Sequence, residues 1–281
     1  MAVQTKTITI AHSPDSDDAF MFYALAKDKL PTGGLVVKQV LKDIQSLNVD
    51  AINQTYEVSA ISFAAYPQVA HNYALMPCGA SIGFKYGPMI VARKPMSTEE
   101  LQKAKVAIPG KLTTAYLYLQ IYQPGLDVVE MPFDTILDAV KEGTVDAGLI
   151  IHEGQLTYGQ MGLTKIVDLG QWWFDLTGLP LPLGGNIVRK DLGMETMKQV
   201  TKLLKDAIVH ALEHREDALE YALTFARDMD PKLADKFVGM YVNEFTVDYG
   251  NQGRKALTKL FEMAYEKGII KEPVNLEFIA I

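Results

Sequence analysis

Ala147-Gly148-Leu149-Ile150-Ile151-His152-Glu153-Gly154 is an apolar run that ends on an imidazole, a carboxylate and a glycine. A run of this length without polar alternation reads as a strand buried on both faces, as in a parallel sheet covered by helices. A strand that ends on a histidine delivers the ring to the carboxyl edge of its sheet. That is where α/β proteins keep their ligands. The chain on either side has to supply the sheet and a pocket around His152.

It supplies the sheet. Residues 7–11 are a short β-rich run, and His12-Ser13-Pro14-Asp15-Ser16-Asp17-Asp18 after it is a polar loop ending in helix-capping residues. Helical spacing follows over 19–26. Leu35–Leu41 reads as a second strand, and Asp43 is placed to cap a helix over Ile44–Ile52. A third strand at 58–61 runs into Ser62, the expected cap of a helix over 63–70. Strand, cap and helix therefore recur within the first 70 residues, the mark of βαβ units and a largely parallel sheet. Residues 79–87 hold three glycines and read as a loop. Met89–Ala92, Lys105–Ile108, 128–131, 146–151 and 165–169 read as further strands. Ser97-Thr98-Glu99-Glu100 has the capping-box pattern. Helices are expected over 115–122 and 135–141, and residues 194–267 are helical in period almost throughout.

Asn186-Ile187-Val188-Arg189-Lys190-Asp191 echoes Met89-Ile90-Val91-Ala92-Arg93-Lys94: a short β run, an Arg-Lys pair, then a helix start. The preferred reading is two crossover strands between lobes. Residues 1–94 and 189–281 then form a discontinuous large lobe, and 95–188 a small inserted one. Two α/β lobes joined in this way give a central cleft that hinge motion can close. The alternative is one doubly wound domain with a helical tail.

The chain has 281 residues, 48% of them hydrophobic and 22% charged, enough for one large or two modest globular domains. A net charge of −7 argues against a general nucleic-acid binder, which needs a basic surface. It leaves room for a small anionic ligand, because a pocket's field can oppose the global charge. Cys78 is the only cysteine, so neither an internal disulfide nor a cysteine zinc site is available. The N-terminal stretch lacks a basic segment followed by a long apolar one, and no run reaches the roughly 18 apolar residues of a spanning helix. A cytoplasmic protein with no membrane partner is expected. The sequence does not set its oligomeric state.

Three capped helix starts each follow a strand directly: residues 13–18, Ser62 and Thr113-Thr114. Helix N-termini carry backbone N–H groups outside the helical ladder and favour anions. A cleft holding Ser62 and Thr114 would suit a carboxylate or phosphate, although serine and threonine are also simply good caps. The aspartates at 15, 17 and 18 oppose an anion at the first loop. His152 has the chemistry of a general base, since imidazole titrates near neutral pH. A histidine at a strand end also commonly does no more than hydrogen-bond a neighbour. Glu153 either orients the ring or caps the next helix. His210 and His214, four apart, share a helix face, but their charged surroundings suit a solvated helix end better than a metal site. No phosphate-binding loop, GxGxxG fingerprint, zinc-protease helix or nucleophile elbow is present. Trp172-Trp173-Phe174 with Leu179-Pro180-Leu181-Pro182-Leu183 reads either as a stacking surface for a flat ligand or, more commonly for clustered aromatics, as lobe core. Tyr241-Val242-Asn243 is polar enough to reach a cleft. His12 and His71 show no partner in the sequence.

Several segments, in this order along nearly the whole chain, resemble the 1,4-dihydroxy-6-naphthoate synthases of the futalosine route to menaquinone. They are Ile61-Ser62-Phe63-Ala64-Ala65-Tyr66, Pro109-Gly110-Lys111-Leu112-Thr113-Thr114-Ala115-Tyr116, the run from Ala147 to Glu153, Val167-Asp168-Leu169-Gly170 with Trp172-Trp173, Thr177-Gly178-Leu179-Pro180-Leu181-Pro182-Leu183-Gly184, and Tyr241-Val242-Asn243. The resemblance implies an α/β, two-lobe fold like a type II periplasmic binding protein, used inside the cell as an enzyme. It implies conversion of cyclic dehypoxanthinyl futalosine, a small carboxylate, to 1,4-dihydroxy-6-naphthoate by a carbon–carbon lyase without metal or organic cofactor. The family's proton acceptor maps onto His152. Its substrate contacts map onto Asn48, Ala60, Ile61, Ser62, Thr114 and Ala115. Many members carry Ser-Pro-Cys-Pro-Asn-Asp-Thr-Phe where this chain has Ser13-Pro14-Asp15-Ser16-Asp17-Asp18-Ala19-Phe20. That difference bears on the substrate more than on the fold. The rival readings are a chorismate dehydratase-like enzyme of the same pathway and a non-catalytic binding protein for a small anion.

Overall fold

The computed structural model describes residues 6–225 and 230–281. Within them the chain divides into two compact units. The first takes its residues from 1–82, 184–250 and 275–281, the second from 83–183 and 251–274. In chain order the strands are β1 (Lys6–His12), β2 (Leu35–Leu41), β3 (Val58–Ser62), β4 (Tyr73–Leu75), β5 (Ser81–Gly83), β6 (Met89–Ala92), β7 (Lys105–Ile108), β8 (Asp127–Glu130), β9 (Ala147–Ile150), β10 (Thr164–Asp168) and β11 (Leu181–Arg189).

The first unit is built on the sheet β2-β1-β3-β11-β4, with β5 also paired to β11. β1 runs parallel to β2 and β3, and β11 runs antiparallel to β3 and β4. β3 is buried along its whole length, as a central strand covered on both faces must be. Asp43 caps Ile44–Ile52 as expected, its carboxylate accepting from the Ser46 N–H at 3.0 Å. The helix Ser16–Ala26 packs on Met194–Glu213 and Arg215–Leu223. Between these helices and the sheet lie Ile8, Ile10, Phe20, Phe22, Val58, Leu204 and Ile208, all excluded from solvent. Burying each of the larger of these side chains stabilises the fold by about 1.5–3 kcal/mol.

The second unit holds the sheet β10-β6-β9-β7-β8. β9 pairs parallel with β7 and antiparallel with β6. Its Gly148 faces the helix Ile136–Glu142. A Cβ there would stand 2.4 Å from Ile136 Cγ2 and 2.9 Å from Val140 Cγ2, so the helix lies directly on the strand. The capping box at Ser97 is formed in both directions, and Thr113 and Asp168 cap Thr114–Tyr122 and Leu169–Thr177.

Five expectations are corrected. The first boundary between units falls at residues 82 and 83, not at 94 and 95, because β6 is hydrogen-bonded to β9 and β10 and belongs to the second sheet. The return crossing falls inside β11, between residues 183 and 184 rather than at 188, and residues 251–274 join the second unit instead of the large lobe. Residues 79–87 are not all loop, since they contain β5. Ser62 precedes a 3-10 turn but makes no side-chain cap, because its hydroxyl is engaged elsewhere. Of the helical stretch expected over 194–267, residues 226–229 lie outside the described residues. No helix among the described residues is long and apolar enough to cross a membrane.

Candidate active site

In the second unit, β9 carries the chain into a tight turn at His152. The His152 and Glu153 carbonyls accept from the N–H groups of Gln155 at 2.9 Å and Leu156 at 2.8 Å, which starts the short helix Gly154–Thr157. The imidazole is 9% exposed and stands edge-on to Phe133, with centroids 5.3 Å apart and planes at 82°. Gly154 is a glycine for a reason of space: a Cβ would come within 3.2 Å of His152 Cε1 and 2.5 Å of Leu137 Cδ1. The ring is therefore held between an aromatic edge and a bare backbone. Such a site suits proton transfer, in which a ring of fixed orientation meets the proton it removes. Glu153 is buried and makes no side-chain cap, so its capping role is set aside.

Also in the second unit, the Thr113 hydroxyl donates to the Gly110 carbonyl at 2.7 Å and accepts from the Tyr116 N–H at 3.3 Å. This fixes the first turn of the helix Thr114–Tyr122, where Thr114 and Ala115 are 2% and 3% exposed. The sequence marked Thr113-Thr114 as a capped start, and Thr113 is the cap.

In the first unit, Asn48 and Ser62 form a double clasp. Asn48 Nδ2 donates to Ser62 Oγ at 3.0 Å, and Asn48 Oδ1 accepts the Ser62 backbone N–H at 2.8 Å. Asn48 is fully buried. With Oγ accepting from Asn48, the serine's own proton is directed away from that amide. Ala60 and Ile61 lie beside Ser62 on β3, paired with Asn186 and Gly185 of β11.

Other sequence candidates resolve into structure. Trp173 is fully buried, edge-on to Tyr118 at 5.1 Å, and its Nε1–H donates to the Pro180 carbonyl at 2.8 Å. The Tyr118 hydroxyl donates to Pro182 at 3.1 Å, and burial raises it well above the ordinary phenol range. The Leu-Pro-Leu-Pro-Leu segment thus gives its carbonyls to the core of the second unit. Asn243 caps Glu244–Val247 through the Phe245 N–H and donates to the carbonyls of Ile82 and Met240. His210 and His214 stack on each other at 4.0 Å, and His214 Nδ1 meets the His210 carbonyl. Partial burial, then the neighbouring His214, holds His210 below the usual imidazole range. No group of three or more His, Cys, Asp or Glu among the described residues is arranged to hold a metal.

A buried pair in the first unit has no local mark in the sequence. His12, at the end of β1, is 1% exposed and stacks on Phe22 at 4.1 Å, with ring planes 6° apart. Asp18 lies nearby in the first turn of Ser16–Ala26. Burial raises its carboxyl above the ordinary range, against an opposing pull from His12 and hydrogen bonds from Ser13.

Comparison with known proteins gives this geometry its setting. Residues 8–266 match the model of a family described as menaquinone biosynthesis. The 1,4-dihydroxy-6-naphthoate synthase of Thermus thermophilus is 38% identical over 94% of this chain and 96% of its own length. The chain belongs to the 1,4-dihydroxy-6-naphthoate synthase family of menaquinone biosynthesis. A crystal structure of an Archaeoglobus fulgidus protein, 43% identical, superposes with a TM-score of 0.90 over 94% of this chain and 98% of that one. A Candida albicans protein described as having the generic periplasmic binding protein fold superposes with a TM-score of 0.73 at 11% identity, over 98% of each chain. The α/β architecture of this family member is therefore the periplasmic-binding-protein type expected from its sequence.

Proposed function

We propose that the protein is a lyase that converts cyclic dehypoxanthinyl futalosine to 1,4-dihydroxy-6-naphthoate, with His152 as the general base. The near-full-length relation to the Thermus thermophilus synthase carries this reading. His152 takes a proton from the bound substrate, the electron pair so freed drives cleavage of the carbon–carbon bond, the fragment beyond that bond leaves as a second product, and the ring that remains becomes aromatic. In the first unit the Ser62 hydroxyl is the proposed donor to the substrate carboxylate, with Asn48 fixing the serine rotamer and Ala60 and Ile61 beside it on the strand. In the second unit Thr114 and Ala115, in the first turn of their helix, are proposed as substrate contacts. The donor at Ser62 and the helix N-terminus suit an anion on general grounds. The residues invoked need neither metal nor organic cofactor. The reaction is placed in the cytoplasm.

The purified protein is incubated with cyclic dehypoxanthinyl futalosine, and product is followed by mass spectrometry alongside His152→Ala. Naphthoate from the wild type, with a rate lowered about 10²–10⁴-fold in the variant, is the expected result. A folded wild type that yields no naphthoate excludes the activity. A variant as fast as wild type excludes only the role of His152.

A further inference from the structure

The exits of two adjacent parallel strands in the first unit are fixed in the same way. β1 and β3 are paired in register through Ile10↔Val58 and Ala11↔Ser59, so both reach the same carboxyl edge of the sheet. At the end of β3, Asn48 grips Ser62 by its N–H and its hydroxyl. At the end of β1, Ser13 is gripped from both sides of its backbone. Its N–H donates to Asp18 Oδ2 at 2.7 Å, and its carbonyl faces His12 Nδ1 at 2.9 Å. A carbonyl only accepts, so the proton is on Nδ1. The Ser13 hydroxyl is also placed, donating to Asp15 Oδ2 at 2.7 Å. His12 Nε2 in turn meets the side-chain amide of Gln39 at 3.1 Å.

Two buried ionisable side chains are an expensive way to hold one residue of a loop. An apolar packing of the same turn would serve stability as well or better. We infer that His12 and Asp18 are positioning residues of the substrate site: they fix the Ser13–Asp15 turn at the edge where Asn48 fixes Ser62, so that both strand ends meet the substrate preset. The inference rests on the activity proposed above. It also accounts for the acidic loop, in which Asp15 and Asp18 are engaged in holding Ser13.

Steady-state kinetics of naphthoate formation in four variants test it, with melting temperature measured in parallel. Asp18→Ala removes the acceptor for the Ser13 N–H, and Asp18→Asn keeps an oxygen there. His12→Gln removes the donor at Nδ1, and His12→Asn keeps one near that position. Asp18→Ala and His12→Gln are expected to raise KM at least 10-fold with kcat within 3-fold of wild type. Asp18→Asn and His12→Asn are expected to recover KM to within 3-fold. A purely structural role would lower melting temperature and the active fraction but leave KM unmoved. That outcome overturns the inference, as does equal impairment within each pair. If Asp18→Ala does not fold, the His12 pair decides alone. A wild type that forms no naphthoate defeats the activity itself, a result distinct from an active enzyme whose KM ignores these substitutions.

Discussion

Asn48 satisfies Ser62 twice, donating to its hydroxyl at 3.0 Å and accepting its backbone N–H at 2.8 Å. Removing the amide leaves that N–H without its acceptor in a buried setting, at a cost of about 1–3 kcal/mol. Asn48→Ala is expected to lower unfolding free energy by about 2 kcal/mol in urea titrations. It is also expected to raise KM for the proposed substrate, because the serine rotamer is no longer set. A variant as stable as wild type would show that the clasp does not carry this energy.

Gly154 makes room for His152. In Gly154→Ala the new methyl would sit 3.2 Å from His152 Cε1 and 2.5 Å from Leu137 Cδ1. Leu137 can turn away, so the fold survives while the imidazole is displaced. A misplaced reacting group commonly costs about 10²-fold. The variant is expected to keep its melting temperature within a few degrees and lose at least about 10-fold in kcat. Unchanged kcat would mean that the ring orientation seen here is not the one that matters.

Two glycines of the second unit should respond oppositely to the same change. A Cβ at Gly170 would stand 2.0 Å from the Tyr86 carbonyl carbon, a backbone atom that cannot swing aside. Among the described residues nothing lies within 4 Å of the Cβ position of Gly159. Gly170→Ala is expected to cost about 2 kcal/mol or more, and Gly159→Ala about 0.5 kcal/mol at most, measured by denaturant titration.

Cys78 is fully buried, with its Sγ 3.8 Å from the Thr201 carbonyl, and burial pushes its thiol up to about 12. Only the thiolate is a good nucleophile. A thiol-titrating disulfide reagent at pH 8 is expected to leave the native protein unlabelled and to label it once, stoichiometrically, in denaturant. Fast labelling of the native protein would contradict the burial.

Asp18 gives a pH signature. Its carboxyl is raised above 3.8 in the folded protein, chiefly by burial. A raised carboxyl binds its proton more tightly when folded, so its contribution to stability is full below the unfolded value and is lost as pH rises through the folded one. Asp18→Asn cannot ionise. The melting temperature of wild type minus that of Asp18→Asn is therefore expected to fall as pH increases from about 4 towards neutrality. A difference that rises over this range would mean that the His12 attraction outweighs desolvation.

Local signals in the sequence carried much of the fold. Leu35–Leu41, Ile44–Ile52, Met89–Ala92 and Lys105–Ile108 were readable to the residue, because an apolar run or a capping side chain marks both ends. His152 and the capped start at Thr113 were readable for the same reason. What escaped depends on distance along the chain. His12 looked solitary because its partner Gln39 is 27 residues away and the link to Asp18 runs through the backbone of Ser13. Ser62 looked like a cap because nothing nearby in sequence announces Asn48. The boundary at residue 83 was hidden because the pairing of β6 with β9 and β10, rather than its own composition, decides its unit.

The stretch 275–281 returns to the first unit, where the Leu75 N–H donates to Glu277 at 2.8 Å and the Ile279 N–H to Leu75 at 2.9 Å, along the open side of β4. During synthesis, then, the first sheet keeps a bare edge until residue 279 has left the ribosome, and the second unit lacks a helix until residue 266 has. Neither half of the newborn chain can finish early. Translation delivers two incomplete bodies that close almost together, and the exposed edge of β4 is the surface a chaperone would have to shield in the interval.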